Sequence, residues 1–208
     1  MEITNITEYN KTKVLVQLDE HLIFPLYKSE LRIYRIAAGE ELDEKVYQEL
    51  FYEVLPKRVK MRAMHLLQKR DYTVAKLRQK LIESHYPENL VRIAVDYVSD
   101  YGYLDDVRYA ENYIRSVCES KSRRKIEQDL YIKGVTAEDI SAAWIRFEDS
   151  DRSINEVAQI KAYLQRKGYE AAKTDYKTTL KIMNALYRKG YSAEAIRKTI
   201  RVPDTYGE

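Results

Sequence analysis

The sequence predicts a mainly α protein. It is expected to be a tandem of three-helix, helix-turn-helix-like repeats forming a curved rod, with a small N-terminal β-hairpin/α extension. Three observations carry this expectation. First, Leu130-Tyr131-Ile132-Lys133-Gly134-Val135-Thr136-Ala137-Glu138-Asp139-Ile140 returns 56 positions later as Leu186-Tyr187-Arg188-Lys189-Gly190-Tyr191-Ser192-Ala193-Glu194-Ala195-Ile196, with seven of eleven positions identical. An internal repeat sets the architecture of a chain before any other feature is read. Second, from Lys57 onward the apolar residues recur at helical spacing. Third, the segment before Lys57 alternates apolar and polar residues at period two, which is a strand signature.

Residues 1–56 form the first predicted piece. Val14, Val16 and Leu18 alternate with polar residues, Asp19-Glu20 offers a turn, and Leu22, Phe24 and Leu26 continue the alternation. Ile3 to Tyr9 is a candidate third strand. Ser29 is placed to cap a short helix carrying Leu31 and Tyr34 that ends near Gly39. A further helix follows Leu42, with Val46, Leu50 and Val54 on one face, and Pro56 is expected to end it. A few strands bury little surface by themselves, so this piece is expected to dock on its neighbour.

Three helical units then follow, over 57–104, 105–150 and 151–208. In the first, a helix through Ala63, Leu66 and Leu67 leads to a turn at Arg70-Asp71-Tyr72. Thr73 caps a helix bearing Leu77 and Leu81, and Pro87 precedes a helix with Leu90, Ile93, Ala94 and Tyr97. In the second, Asp105 is an N-cap for a helix with Ala110, Tyr113, Ile114 and Val117. Ser122 caps a helix that stops at Gly134, the usual left-handed residue after a helix end. Thr136 with Asp139 resembles a capping box opening a helix with Ile140, Ala143, Trp144 and Phe147. The third unit starts near Asp151 and holds Val157, Ile160 and Leu164, then Leu180, Met183 and Leu186, then Ile196 and Ile200. The tail from Val202 is expected to fray. Three short helices bury little apolar surface alone, and stacking in series resolves that.

Composition narrows the function classes. The net charge is only +3, but residues 1–56 carry 6 Lys/Arg against 11 Asp/Glu, residues 57–104 carry 10 against 5, and residues 151–208 carry 12 against 7. An acidic head joined to a basic body suggests a polyanionic partner. Nineteen Tyr accompany 3 Phe and 1 Trp. A Tyr ring fills a half-buried site while its hydroxyl stays wet, and stacking on bases is its sharper alternative use. Cys118 is alone, so an internal disulfide and a Cys-rich zinc site are both excluded. His21, His65 and His85 show no metal spacing. With no apolar N-terminal signal and no 18-residue apolar run, a soluble, cytoplasmic protein without membrane contact is expected, and a monomer is the expected state.

Two local motifs could carry function. Gly102-Tyr103-Leu104-Asp105-Asp106-Val107-Arg108-Tyr109-Ala110 reads as a capped junction in which Tyr103, Leu104 and Tyr109 fill the joint between units. Asp105, Asp106 and Glu111 could instead hold Mg²⁺ as a nuclease does, but no further acidic cluster or general base accompanies them. No metal, cofactor or catalytic residue is assigned. The second motif is Lys121-Ser122-Arg123-Arg124-Lys125, the densest basic run, at a helix N-terminus whose N–H groups favour anions. Arg side chains grip phosphate or carboxylate in two-point fashion. The equivalent helix of the first unit carries Lys76, Arg78 and Lys80, and that of the third carries Lys173, Lys177 and Lys181. The expected partner- or DNA-binding residues are therefore Lys76, Arg78, Lys80, Lys121, Arg123, Arg124, Lys125, Lys177 and Lys181.

Together these motifs resemble the RecX regulatory proteins, modulators of the bacterial RecA recombinase. The resemblance rests on Ala63 to Leu67, Arg70-Asp71-Tyr72-Thr73, Leu77-Arg78-Gln79-Lys80-Leu81, Gly102 to Ala110, and Leu130 to Ile140, in that order. It covers roughly residues 60–145 well and extends more loosely to the third unit and the N-terminal hairpin. The chain departs from the family pattern at Lys76, where an acidic residue is common, and at Cys118-Glu119-Ser120, where a glycine is common. The resemblance implies a non-enzyme, without cofactors, that binds the RecA nucleoprotein filament and mostly inhibits its growth, ATPase, strand exchange and co-protease activity in DNA repair, recombination and the SOS response. It implies weak, non-specific contact with single- or double-stranded DNA. The alternative is a helix-turn-helix transcriptional regulator, which needs polar side chains aimed at base edges; Gln79 and Gln128 are the candidates on the middle helices of the first two units.

Overall fold

The computed structural model describes residues 1–19, 21–150, 153–171 and 173–200. It contains two compact units, Met1–Asp105 and Asp106–Glu208. The expected turn residue Glu20, the expected start of the third helical group at Asp151 and the expected tail from Val202 lie outside the described residues.

The first unit opens with an antiparallel sheet in the order β1-β2-β3, where β1 is Ile3–Glu8, β2 is Lys13–Leu18 and β3 is Leu22–Tyr27. The register pairs Ile6 with Val16, and Val16 with Phe24. One-residue slippage would turn the apolar set outward, so the alternation itself fixes this register. Val14, Val16 and Leu18 are all buried, with Phe24 and Leu26 beside them. Pro25 is tolerated because β3 is an edge strand. The β1–β2 turn is closed by the Asn10 side chain, whose Oδ1 accepts from the backbone N–H groups of Thr12 and Lys13.

Helix α1 spans Lys28–Ile33. Its cap is Tyr27 rather than the expected Ser29: Glu30 reaches back to accept from the Tyr27 N–H at 2.7 Å, and Ser29 falls inside the first turn. Asp43 caps α2 (Glu44–Glu49) by accepting from Lys45 N and Val46 N. The chain does not stop at Pro56. A wide π turn at Leu50–Val54 runs into α3 (Leu55–Leu67), and Leu55 N–H donates five residues back to Leu50 O. Pro56 falls in the first turn of α3, where a missing N–H is tolerated.

Two further helices complete this unit, α4 (Val74–Ile82), capped by the Thr73 hydroxyl, and α5 (Glu88–Asp100). The sheet residues Val16, Leu18, Phe24 and Leu26 share one apolar core with Leu50, Leu55, Val59, Leu77, Leu81, Leu90 and Val98. Phe24 meets Phe51 edge-on at 4.9 Å. Each such fully buried aliphatic or aromatic side chain contributes roughly 1.5–3 kcal/mol, so the sheet is held by α3 to α5 rather than by its own ladder. On α5 the buried face is Leu90, Val91, Ala94 and Val98, which leaves Ile93 partly exposed.

The second unit holds two groups of three helices. In the first, α6 (Asp106–Val117), α7 (Arg123–Ile132) and α8 (Ala137–Glu148) enclose Ile114, Ile126, Leu130, Ile140, Trp144 and Phe147. In the second, α9 (Glu156–Arg166), α10 (Tyr176–Arg188) and α11 (Ala193–Thr199) enclose Ile160, Leu164, Leu186, Tyr191 and Ile196. On α10 the inward residues are Thr179 and Leu186, and Leu180 is at the surface. The sequence repeat is a structural one. Gly134 and Gly190 both adopt left-handed backbone, with φ of 84° and 83°. Val135 N–H donates to Leu130 O as Tyr191 N–H donates to Leu186 O. Thr136 and Ser192 then cap the following helices through their hydroxyls.

Candidate polyanion interface

The basic run sits where α7 begins. Ser122 caps the helix by accepting from Lys125 N, and its hydroxyl donates to the Lys189 carbonyl at 2.7 Å. Ser122 is buried. The positive end of α7 therefore already faces a carbonyl at the end of α10, and the anion-binding helix terminus expected at Ser122 is covered by the Lys189–Gly190 turn. Any anion contact must come from side chains.

Those side chains divide into paired and open cations. Lys121 Nζ donates to Asp129 Oδ2 at 2.7 Å and to the Tyr113 hydroxyl at 2.8 Å. Lys125 Nζ lies 2.9 Å from Asp129 Oδ1. Tyr113 OH donates to the same carboxylate at 2.9 Å. Hydrogen bonds from Lys121 and then Lys125 hold the Asp129 carboxyl well below the usual carboxylate range. The bond to Asp129, followed by that to Tyr113, raises Lys121 above the ordinary lysine value. Arg123 donates to Glu127 at 3.1 Å and Glu148 at 2.8 Å while its guanidinium lies 4.5 Å over the Trp144 ring. Arg124 is exposed and forms no ion pair among the described residues. It lines a cleft of about 730 Å³ with Arg123, Glu127, Glu156, Tyr187 and Ser192.

On α4, Lys76 bonds Gln79 at 3.1 Å, Arg78 pairs with Glu88, and Lys80 pairs with Glu83 at 2.6 Å. On α10, Lys177 and Lys181 are exposed and unpaired among the described residues. Lys173 precedes α10 instead of riding on it, and pairs with Glu170 at 2.6 Å. The structure thus brings the Lys121 to Lys125 run against Lys189. Lys181 lies eight residues earlier on α10 than Lys189, about 12 Å along the axis at 1.5 Å per residue.

Three side chains that organise this region escaped the sequence reading. Asp129 was detectable as the i+4 partner of Lys125. Tyr113 and Gln159 had no local signal, because their partners lie on other elements. Gln159 Nε2 donates to the carbonyls of Cys118 at 2.5 Å and Lys121 at 3.3 Å, which ties α9 to the α6–α7 loop.

The junction residues divide between the two units. Leu104 is buried in the core of the first unit and Tyr109 packs on the α6–α8 core, while Tyr103 is 51% exposed and lies against Tyr101. Asp106 starts α6, and Glu111 is engaged by Arg115 at 2.7 Å. No group of three or more His, Cys, Asp or Glu that could hold a metal occurs among the described residues. Tyr86 and Tyr191 are buried, in keeping with ordinary core use. No described helix is long and apolar enough to cross a membrane.

Comparison with known proteins places these elements in a family context. Residues 105–143 match the family model described as "RecX, second three-helix domain". A regulatory protein RecX from Clostridium perfringens is 29% identical over 204 residues, 94% of this chain and 92% of that protein. A regulatory protein RecX from Vibrio parahaemolyticus is 31% identical over 143 residues, 68% of this chain and 89% of that protein. A crystal structure of regulatory protein RecX superposes with a TM-score of 0.60 at 24% identity, covering 96% of this chain and 98% of the other. At that identity the superposition speaks for the fold.

Proposed function

This chain belongs to the RecX family of regulatory proteins, and from that premise we propose that it acts by binding the RecA nucleoprotein filament and limiting its growth. Lower ATP hydrolysis, strand exchange and co-protease activity follow from a shorter or less persistent filament. The protein works here as a binding module, not a catalyst. It meets the filament as a single chain, with weak and sequence-independent DNA contact.

The observation that supports this reading is the set of exposed cations on the middle helix of each three-helix group. Arg124 on α7 and Lys177 and Lys181 on α10 are open, and Lys76 on α4 has only a neutral partner. These four are the primary contacts. Arg78, Lys80, Lys121, Arg123 and Lys125 contribute after release from their carboxylate partners. The exposed pairs of Arg78 with Glu88, Lys80 with Glu83 and Arg123 with Glu148 are worth only about 0.2–1 kcal/mol, so a polyanion displaces them readily, whereas Lys121 and Lys125 must leave the largely covered Asp129. The test is the triple variant Arg124→Ala, Lys177→Ala, Lys181→Ala in a RecA ATPase assay on single-stranded DNA. It should relieve inhibition with helical content intact; inhibition equal to the unaltered protein removes these residues from the interface.

A further inference from the structure

The start of α7 also carries a more organised cluster. Lys121 and Lys125 converge on the two oxygens of Asp129, Tyr113 donates its hydroxyl to the same carboxylate, and Lys133 lies 5.3 Å over the Tyr113 ring. Two lysine ammonium groups thus share one carboxylate. Asp129 is largely covered, while Lys121 and Lys125 each keep a third or more of their exposure. The two lysine side chains are thus more exposed than the carboxylate that holds them.

A carboxylate bridging two lysines and a tyrosine hydroxyl uses the same donors that a phosphodiester oxygen would use. We propose that Lys121, Lys125 and Tyr113 form a nucleic-acid phosphate site, and that Asp129 is its built-in competitor, weakening the site until a phosphate draws the two lysines away. This rests on the reading of α7 as a polyanion-facing helix and names the group that regulates its affinity. The opposite role, in which Asp129 merely positions the lysines for the phosphate, predicts the opposite sign on its removal. Charge decides between them: an anion about 4 Å from a carboxylate is disfavoured roughly fivefold even at the dielectric of water, and neutral Asn at 129 retains an oxygen that can accept from Tyr113.

The experiment is a salt titration of binding to fluorescein-labelled single-stranded oligothymidylate. Asp129→Asn should tighten binding about fivefold at low salt and steepen the salt slope by about 0.7, one further phosphate contact on a single strand. Glu138→Gln, the same charge change at an exposed position on α8, should alter affinity less than twofold. Lys121→Ala with Lys125→Ala should cancel the gain. A footprint on the unaltered protein covers the case in which Asp129→Asn folds poorly: the oligonucleotide should shield Lys121 and Lys125 from acetylation more than Lys161 on α9. Unchanged or weaker binding by a folded Asp129→Asn overturns the proposal, as does an unshielded pair of lysines. Displacement of the oligonucleotide by polyglutamate at equal charge concentration would assign the cluster to acidic protein and overturn it too. Should Asp129→Asn fail while the Arg124, Lys177, Lys181 variant still loses filament inhibition, the functional reading stands without this site.

Discussion

The Ser122 hydroxyl donates to the Lys189 carbonyl at 2.7 Å across 67 residues of sequence. One oxygen thereby caps α7 and ties α7 to the α10–α11 turn. Replacing Ser122 with Ala removes a cap worth about 1 kcal/mol and also the hydrogen bond to the Lys189 carbonyl, a further cost of about 1 kcal/mol. A loss near 2 kcal/mol is expected, read as a shift in the urea midpoint. Amides of α10 and α11 should lose exchange protection more than those of α3.

Gly190 and Gly168 test the same joint by contrast. Both have positive φ, 83° and 65°. A Cβ at Gly168 meets nothing within 4 Å, whereas one at Gly190 would stand 2.8 Å from Ser122 Oγ and 3.2 Å from Arg124 Cβ. Gly168→Ala should cost only the backbone term, about 1–2 kcal/mol. Gly190→Ala adds overpacking of about 1–3 kcal/mol, so thermal unfolding should rank it clearly below Gly168→Ala.

Gln159 is bound on one side only. Its Nε2 holds the Cys118 carbonyl, but its buried Oε1 has no partner among the described residues. An unsatisfied buried acceptor costs about 1–3 kcal/mol, which offsets most of what the donor side contributes. Gln159→Met should therefore change stability by less than about 1 kcal/mol. Gln159→Ala, which leaves a void as well, should cost about 2 kcal/mol. Chemical denaturation of the two variants checks the difference.

Acid should act through Asp129. Its carboxyl titrates below the ordinary range when folded because Lys121 and Lys125 hydrogen-bond the ionised form. A depressed carboxylate stabilises the fold above the unfolded value, about pH 4, and that contribution fades as pH falls through the folded value. Asp129→Asn should be less stable than the unaltered protein at pH 7, and the difference should shrink as pH is lowered below about 4. A constant difference across that range would disconnect Asp129 from acid unfolding.

Much of the fold was legible because its signals are local. The repeat at Leu130 and Leu186 announced the same left-handed glycine turn twice, and Thr73, Ser122, Thr136 and Ser192 announced helix starts that their hydroxyls indeed make. Pro56 misled, because a π turn before it lets the helix continue; nothing in the residue types of Leu50–Val54 marks such a turn. Ser29 misled because the helix starts before it, at Lys28, with Glu30 reaching back to the Tyr27 N–H. The site was legible as charge but not as pairing. Lys121, Arg123 and Lys125 read as a basic run, while the carboxylates that neutralise them lie four to twenty-five residues away. Ser122 read as an open anion site because Lys189, which covers it, is 67 residues distant.

The most direct test is co-sedimentation of the purified protein with RecA filaments assembled on single-stranded DNA, beside RecA-only and DNA-only controls at the same salt. The protein should pellet saturably with the filament, less with either component alone, and the Arg124→Ala, Lys177→Ala, Lys181→Ala variant should remain in the supernatant. A protein that stays soluble in the presence of filaments, or a variant that pellets as the unaltered chain does, contradicts the account.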